Sequence, residues 1–388
     1  MSIKQVPIGE IANFINGYAF KPKDWEESGY KIIRIQNLTN SAKAYNHSNK
    51  EIASKYIVKK GDILVAWSAT IGVFEWKGED AYLNQHIFKV EFDSTKVNKN
   101  YFKLALNKTI DELSRLAHGA TMKHITKKKF DKHKIPLPNI KDQQKIAQLL
   151  IQIESLIAKR QESIRLIDEL IKSTFLEMFL QSDNQRDTYP LEDYLNFMTS
   201  GSRGWAKYYS DEGALFLRIQ NIKDSKLLLD DTIRVNLPSK VEGSRTRVRE
   251  NDLLMSITAD LGRTAVVPKD FEEAYINQHL ALLRLKLDMI NPIFLSHYFS
   301  TEFAKIQVQK FNKGGAKAGL NFSDIKKIKI LVPPKPLQDK FANRVTQIEK
   351  TKATYQKSLE ELQKLFGSLS QRAFKGELDV DGIDVSSY

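Results

Sequence analysis

The sequence predicts an α+β protein made of two tandem copies of one α/β domain, each followed by a long helix, with the two helices paired as an antiparallel coiled coil. Three observations predict it: an internal repeat, short runs of strand-forming residues inside each copy, and a heptad stripe after each copy.

The repeat comes first because it sets the domain count. Arg34-Ile35-Gln36-Asn37 returns as Arg218-Ile219-Gln220-Asn221, 184 residues later. Gly61-Asp62-Ile63-Leu64 returns as Asn251-Asp252-Leu253-Leu254, and Tyr82-Leu83-Asn84-Gln85-His86 as Tyr275-Ile276-Asn277-Gln278-His279, at offsets of 190 and 193. Lys134-Ile135-Pro136-Leu137-Pro138 matches Lys329-Ile330-Leu331-Val332-Pro333 at 195. Constant order with a slowly growing offset is duplication with small insertions. The period is far too long for a solenoid.

Within each copy, runs such as Tyr30 to Ile35, Ile63 to Trp67 and Ile87 to Phe92 are short and rich in β-branched and aromatic residues. They read as strands. A helix is expected from Asn100 to Leu116 and, in the second copy, from Pro292 to Gln309. Pro138 and Pro333-Pro334 end the globular parts, since proline interrupts regular structure.

A stripe of alternating three- and four-residue spacings then begins, with one seven-residue step in each helix. In the first helix it runs through Ile146, Leu150, Ile153, Ile157, Ile164, Ile167, Ile171, Thr174 and Met178. In the second it runs through Phe341, Val345, Ile348, Tyr355, Leu359, Leu362, Phe366, Leu369 and Ala373. Such a seam needs an apolar partner, and each stripe is the obvious partner of the other. The expected organisation is a domain at 1–141, a spacer helix at 142–181, a second domain at 182–336, and a second spacer helix with the tail at 337–388. An antiparallel pair would carry one domain at either end of a rod.

Composition narrows the partner. The 388 residues carry a formal charge of +13, which suits a polyanion, either nucleic acid or an anionic membrane surface. There are no cysteines, which excludes disulfides, thiolate zinc sites and thiol catalysis. Met1-Ser2-Ile3-Lys4-Gln5 lacks the build of a signal peptide, and no run approaches the roughly 18 apolar residues of a membrane span. A cytoplasmic location is expected.

Catalytic motifs are missing. Adenine methylation needs an Asn/Asp-Pro-Pro-aromatic loop, and Asn291-Pro292-Ile293-Phe294 lacks the second proline. It reads as a helix start, with Asn as cap and Pro in the first turn. The sequence has no Walker A loop and no glycine-rich cofactor loop after a strand. His118, His124 and His133 have no helical pairing suited to a metal. Asp379 to Asp384 starts like a calcium loop, but Ile383 occupies the fifth position. No metal and no cofactor are expected on this chain.

If the polyanion is nucleic acid, candidate contacts fall into two classes. Asn84, Gln85 and His86 are identical to Asn277, Gln278 and His279, and Arg34, Gln36 and Asn37 to Arg218, Gln220 and Asn221. Shared residues cannot by themselves distinguish two sequences, so they suit phosphate and sugar contacts or a buried polar turn. Residues that differ in equivalent loops suit base readout: Trp67, Ser68, Thr70 and Lys123 in the first copy; Arg203, Trp205, Lys207, Thr258, Asp260, Arg263 and Lys317 in the second. Lys127-Lys128-Lys129 and Lys326, Lys327 and Lys329 suit backbone phosphates or a solvated basic face.

The arrangement resembles the specificity subunit of type I restriction–modification systems across essentially the whole chain. The resemblance includes Gly17-Tyr18-Ala19-Phe20-Lys21, Thr199-Ser200-Gly201-Ser202-Arg203-Gly204-Trp205, the Gly119-Ala120 and Gly314-Gly315 turns, and the closing Ser370-Gln371-Arg372-Ala373-Phe374-Lys375-Gly376-Glu377-Leu378. At Lys335-Pro336-Leu337-Gln338 the family is expected to be more acidic and richer in glutamine. The resemblance implies two target-recognition domains that address a bipartite duplex DNA target, and no catalysis by this chain. It implies two adenine methyltransferase subunits using S-adenosylmethionine and two ATP- and Mg-dependent restriction subunits as partners. The alternatives are a methylation-only complex and a basic coiled-coil scaffold.

Overall fold

The computed structural model describes residues 3–40, 42–68, 70–116, 127–180, 187–223, 225–238, 243–311 and 319–382. The chain forms two compact units, and each combines one globular domain with halves of both long helices. The first is Met1–Gln161 with Lys357–Tyr388, and the second is Glu162–Gln356.

In the first unit two four-stranded sheets are built from β1 (Ala12–Asn16), β2 (Tyr30–Ile33), β3 (Asn46–Ser48), β4 (Ile57–Val58), β5 (Ile63–Ala66), β6 (Gly72–Glu75), β7 (Ala81–Leu83) and β8 (Ile87–Phe92). One sheet has the order β1-β8-β5-β6 and is antiparallel throughout. The other has the order β3-β2-β7-β4, with β2 and β7 parallel. Strand β5 is buried at every position because its sheet is covered on both faces: Ile63 and Val65 join the core cluster on the helix side, and Leu64 joins the cluster shared with the second sheet. Helix α1 (Lys99–Leu116) covers the first sheet, placing Phe102, Ala105, Leu106 and Ile110 in its core.

The second unit repeats this plan with β9 (Leu195–Ser200), β10 (Tyr209–Ser210), β11 (Ala214–Leu217), β12 (Ile233–Val235), β13 (Leu253–Ser256), β14 (Thr264–Val266), β15 (Ala274–Ile276) and β16 (Leu280–Leu285). Its sheets have the orders β9-β16-β13-β14 and β10-β12-β11-β15, and β11 and β15 are again the parallel pair.

The long helices are α2 (Ile140–Phe179) and α5 (Lys335–Lys375), of 40 and 41 residues and hence about 60 Å each at 1.5 Å per residue. Both start right after the proline exits, with Pro336 inside the first turn of α5, where no N–H bond is lost. In the first unit the start of α2 (Ile146, Ala147, Leu150) packs on the end of α5 (Phe366, Leu369, Ala373). In the second the end of α2 (Ile171, Phe175, Phe179) packs on the start of α5 (Phe341, Val345, Ile348). The pairing is therefore antiparallel in each unit. Phe175 and Phe179 lie beside the heptad stripe; they enlarge the seam because the domain itself covers the helices there.

The helix expected from Pro292 to Gln309 is two helices, α3 (Pro292–Phe299) and α4 (Glu302–Lys310). Thr301 is the reason: its hydroxyl donates to Tyr298 O at 2.7 Å and accepts from Ala304 N at 3.3 Å, capping α4 and ending α3. Asn291 caps α3, accepting from Ile293 N at 2.9 Å.

Candidate nucleic-acid interface

Strand direction assembles the site. In the first domain β1 and β5 both run antiparallel to β8, and β2 runs parallel to β7. The segments leaving β1, β2, β5 and β7 therefore emerge near one edge, where β8 begins. These segments carry Asn16 to Tyr18, Arg34 to Asn37, Trp67 to Thr70, and Asn84 to His86. Backbone bonds tie them together: Asn84 N donates to Ile33 O (3.2 Å), Gln85 N to Tyr18 O (2.8 Å), and Trp67 N to His86 O (3.2 Å).

The second domain builds the same edge. Ser202 N donates to Ile276 O (3.1 Å), Asn277 N to Leu217 O (3.0 Å), and Ile257 N to His279 O (3.0 Å). Leu320 N also reaches Ile257 O at 2.9 Å, bringing the start of 319–382 to this edge. The repeated Gly17 and Gly201 are required here: a Cβ would lie 2.1 and 2.0 Å from the carbonyl oxygens of Asn84 and Asn277. Only glycine permits that backbone approach.

Side-chain bonding sorts the candidates. Asn37 and Asn221 are buried and committed inward. Asn37 Oδ1 accepts from Arg34 N (3.1 Å) and Nδ2 donates to Lys43 O (3.1 Å); Asn221 Oδ1 accepts from Arg218 N (2.9 Å) and Nδ2 donates to Leu228 O (2.9 Å) and Asp231 O (2.8 Å). Both clip their own loop, and their amides are not offered to DNA. Arg34 donates to Asn46 Oδ1 (3.2 Å), and Arg218 to Asp231 Oδ1 (3.2 Å). Gln36 and Gln220 are exposed beside them.

Trp205 also departs from expectation. Its ring is 6% exposed, stacked on Phe216 at 5.5 Å and edge-on to Tyr275, because the segment after β9 folds back over the second sheet. It is core and cannot stack on a base. Ser68 and Asn277 are likewise buried. Trp67 is half-buried, its Nε1 donating to Asn16 Oδ1 at 3.2 Å and its ring beside those of His86 and Phe88. Thr258 Oγ1 lies 2.9 Å from His279 Nδ1, and Gln278 Nε2 lies 3.1 Å from His279 Nε2.

Thr70, Gln36, Arg203, Lys207, Asp260 and Arg263 are exposed, with Arg263 and Asp260 paired at 2.8 Å. Lys127, Lys128, Lys129, Lys326, Lys327 and Lys329 are exposed too. Lys123, Lys317, His118, His124 and the Gly119-Ala120 and Gly314-Gly315 turns lie outside the described residues.

A repeated pair escaped the sequence reading. Gln143 and Gln338, 195 residues apart, are both fully buried. Gln143 Oε1 accepts from Asn98 N (2.8 Å), and its Nε2 donates to Lys96 O and Pro138 O (2.9 Å each). Gln338 accepts from Asn291 N (2.8 Å) and donates to Met289 O (3.3 Å) and Pro333 O (2.7 Å). Each fastens a long helix to the domain helix before it. Aligning the helices at the 195-residue offset would have revealed them.

Among the described residues no cluster of three or more His, Cys, Asp or Glu side chains could hold a metal, and no helix is long and apolar enough to cross a membrane.

Comparison with known proteins agrees with this arrangement. The chain is 24% identical over 408 residues to the EcoBI type I restriction enzyme specificity subunit of Escherichia coli, covering 96% of this chain and 86% of that protein. It is 21% identical over 401 residues to the MjaVIII specificity subunit of Methanocaldococcus jannaschii, covering 98% and 93%. In fold it is similar to the S subunit of a type I restriction–modification system from M. genitalium, with a TM-score of 0.59, 15% identity and 96% of each chain covered. The model of the type I restriction modification DNA specificity domain matches residues 2–166 and 230–364. The chain belongs to that family: it is a non-catalytic DNA sequence-specificity subunit of a type I restriction–modification complex.

Proposed function

We propose that each domain reads one half of a bipartite duplex target with the edge where the loops after its strands meet. The observation that carries this is the coincidence of the two edges: the same scaffold bonds hold different exposed side chains in the two domains. Exposed Arg203, Lys207, Asp260 and Arg263 in the second domain, and Thr70 in the first, supply the base-reading groups, with the Lys127-Lys128-Lys129 and Lys326-Lys327 runs on phosphate. Gln36, Gln85, His86, Gln220, Gln278 and His279 supply contacts common to both halves.

DNA and the methyltransferase and restriction subunits are the partners of this family. Two copies of each, with S-adenosylmethionine, ATP and Mg on those subunits, complete the complex, and the assembly works in the cytoplasm.

The test is an exchange. Residues 182–334 are replaced by the equivalent segment of another specificity subunit, and adenine methylation is mapped in cells carrying the methyltransferase partner. One half of the methylated motif changes and the other stays. A change in both halves would refute independent reading.

A further inference from the structure

In the second unit the helix pair carries a charged cluster whose Lys352 and Asp168 are not repeated at the matching positions of the first. Aligned at the 195-residue offset, the two long helices match residue for residue: Ile146 with Phe341, Leu150 with Val345, Ile153 with Ile348, Glu154 with Glu349. At the next seam position the match fails, since Ile157 corresponds to Lys352. Lys352 is only 9% exposed, and its ammonium is bound to both carboxylate oxygens of Asp168 on α2. The residue corresponding to Asp168 is Gln363. A lysine on the seam and its acidic partner are thus present in one half of the pair and replaced by Ile157 and Gln363 in the other.

A third segment joins them. Lys226, on the strand Lys226–Leu227 of a hairpin in the second domain, places its ammonium 2.7 Å from Glu349 Oε1 and 3.9 Å from Asp168 Oδ1. Four charges therefore bind α2, α5 and the domain to one another. In the first unit, Glu154 occupies the position of Glu349 but forms no ion pair among the described residues, and burial raises its carboxyl above the ordinary value. A seam lysine is a poor choice for stability, because removing it from water offsets most of its attraction to Asp168. Polar seam residues are known instead to fix geometry.

We infer that Lys226 and Lys352, acting through Asp168 and Glu349, are positioning residues that hold the second domain at one angle to the helix pair and so restrict the complex to one spacer between half-sites. They contact no base. Their loss loosens the domain's orientation without altering what its edge reads.

The experiment uses the full chain in complex with its methyltransferase partner and rests on the bipartite reading above. Three duplexes carry both half-sites, at the native spacer and at one base pair more or less. The ratio of off-spacer to native methylation is measured for wild type, Lys226→Met, Lys226→Arg and Lys352→Met. In the Met variants the ratio rises roughly tenfold, as expected for a lost charge-assisted contact, while Lys226→Arg stays within about twofold of wild type. Added salt moves the wild-type ratio toward that of the Met variants. The phosphate contribution cancels because the three duplexes are nearly equal in charge.

An unchanged ratio in folded Lys226→Met would overturn the proposal, and so would an equal loss on all three duplexes. If Lys352→Met does not fold, Lys226→Met decides alone, since its side chain is 34% exposed and its removal leaves no buried gap. A wild-type complex indifferent to spacer would overturn both this proposal and the bipartite reading, whereas strict spacing in every variant overturns only this one.

Discussion

The tripeptide Asn-Gln-His closes the loop edge in both domains, yet the two copies hold it differently. In the second domain Asn277 Oδ1 accepts from His279 N at 3.1 Å, and His279 Nδ1 meets the Thr258 hydroxyl. In the first, His86 takes a left-handed conformation, with φ at 76°, and Asn84 Oδ1 and His86 Nδ1 are buried with no hydrogen-bond partner among the described residues. The cause is in the neighbouring loop. Trp67 stands where the second copy has Ile257, and its ring, 5.0 Å from that of His86, fills the space at the turn. A shared backbone frame can therefore hold the same letters in two ways, one with its side chains hydrogen-bonded and one with Asn84 Oδ1 and His86 Nδ1 buried and unpaired among the described residues. Duplication preserved the frame; the loop after β5 or β13 sets what the frame offers.

The largest expected effect breaks the frame itself. Gly17→Ala and Gly201→Ala each drive a methyl group into a carbonyl oxygen, destabilising the domain concerned by about 3 kcal/mol. Hydrogen exchange resolved by domain would show loss of protection in the mutated copy only. Equal loss in both would mean that the domains are not independent frames.

Next come the helix clips. Gln143→Ala and Gln338→Ala each remove three buried hydrogen bonds, at a cost of about 2 kcal/mol. Thermal melts should place the two variants close together, because the clips are equivalent. A difference of more than about twofold in that cost would show that one helix start is held by something else.

A pH difference follows from position 297. His297 corresponds to Leu104 in the first copy, and burial followed by the charge of Lys226 lowers its pKa to about 4. A histidine whose folded pKa is depressed leaves stability level above its ordinary value of 6.5, and lowers it as pH falls from there toward 4. The second unit should lose stability with acid through that window more than His297→Leu does. Parallel melting curves for the two proteins at pH 7.5 and 5 would remove His297 from the account.

The smallest effect concerns readout. Arg203→Ala should relax base preference in one half-site by about 1 kcal/mol and leave the other unchanged, and Thr70→Ala should do the reverse more weakly. Methylation of duplexes randomised at each half-site measures both. Relaxation in the half-site of the other domain would contradict the assignment.

Periodicity made the architecture legible. The repeat gave two domains, the proline exits and heptads located both long helices, and the missing loops pointed away from catalysis. These signals are local or self-referential, so one chain suffices to read them. Candidate contacts were legible only to the level of the loop. Arg203, Asp260 and Arg263 lie at the surface, but Asn37, Asn221 and Trp205 spend their polar or aromatic groups inside the domain. Nothing in the sequence distinguishes an amide that binds Asp231 O from one that faces solvent.

Sequence alone determined the duplicated frame, because glycine at 17 and 201 and apolar spacing along each helix are demands the backbone makes on residue type. Tertiary structure alone decided which side chains remain available, because hydrogen bonding and burial depend on partners far away in the chain. Lys352 shows both sides: its place on the seam follows from the heptads, while its pairing with Asp168, 184 residues away, exists only once the helices meet.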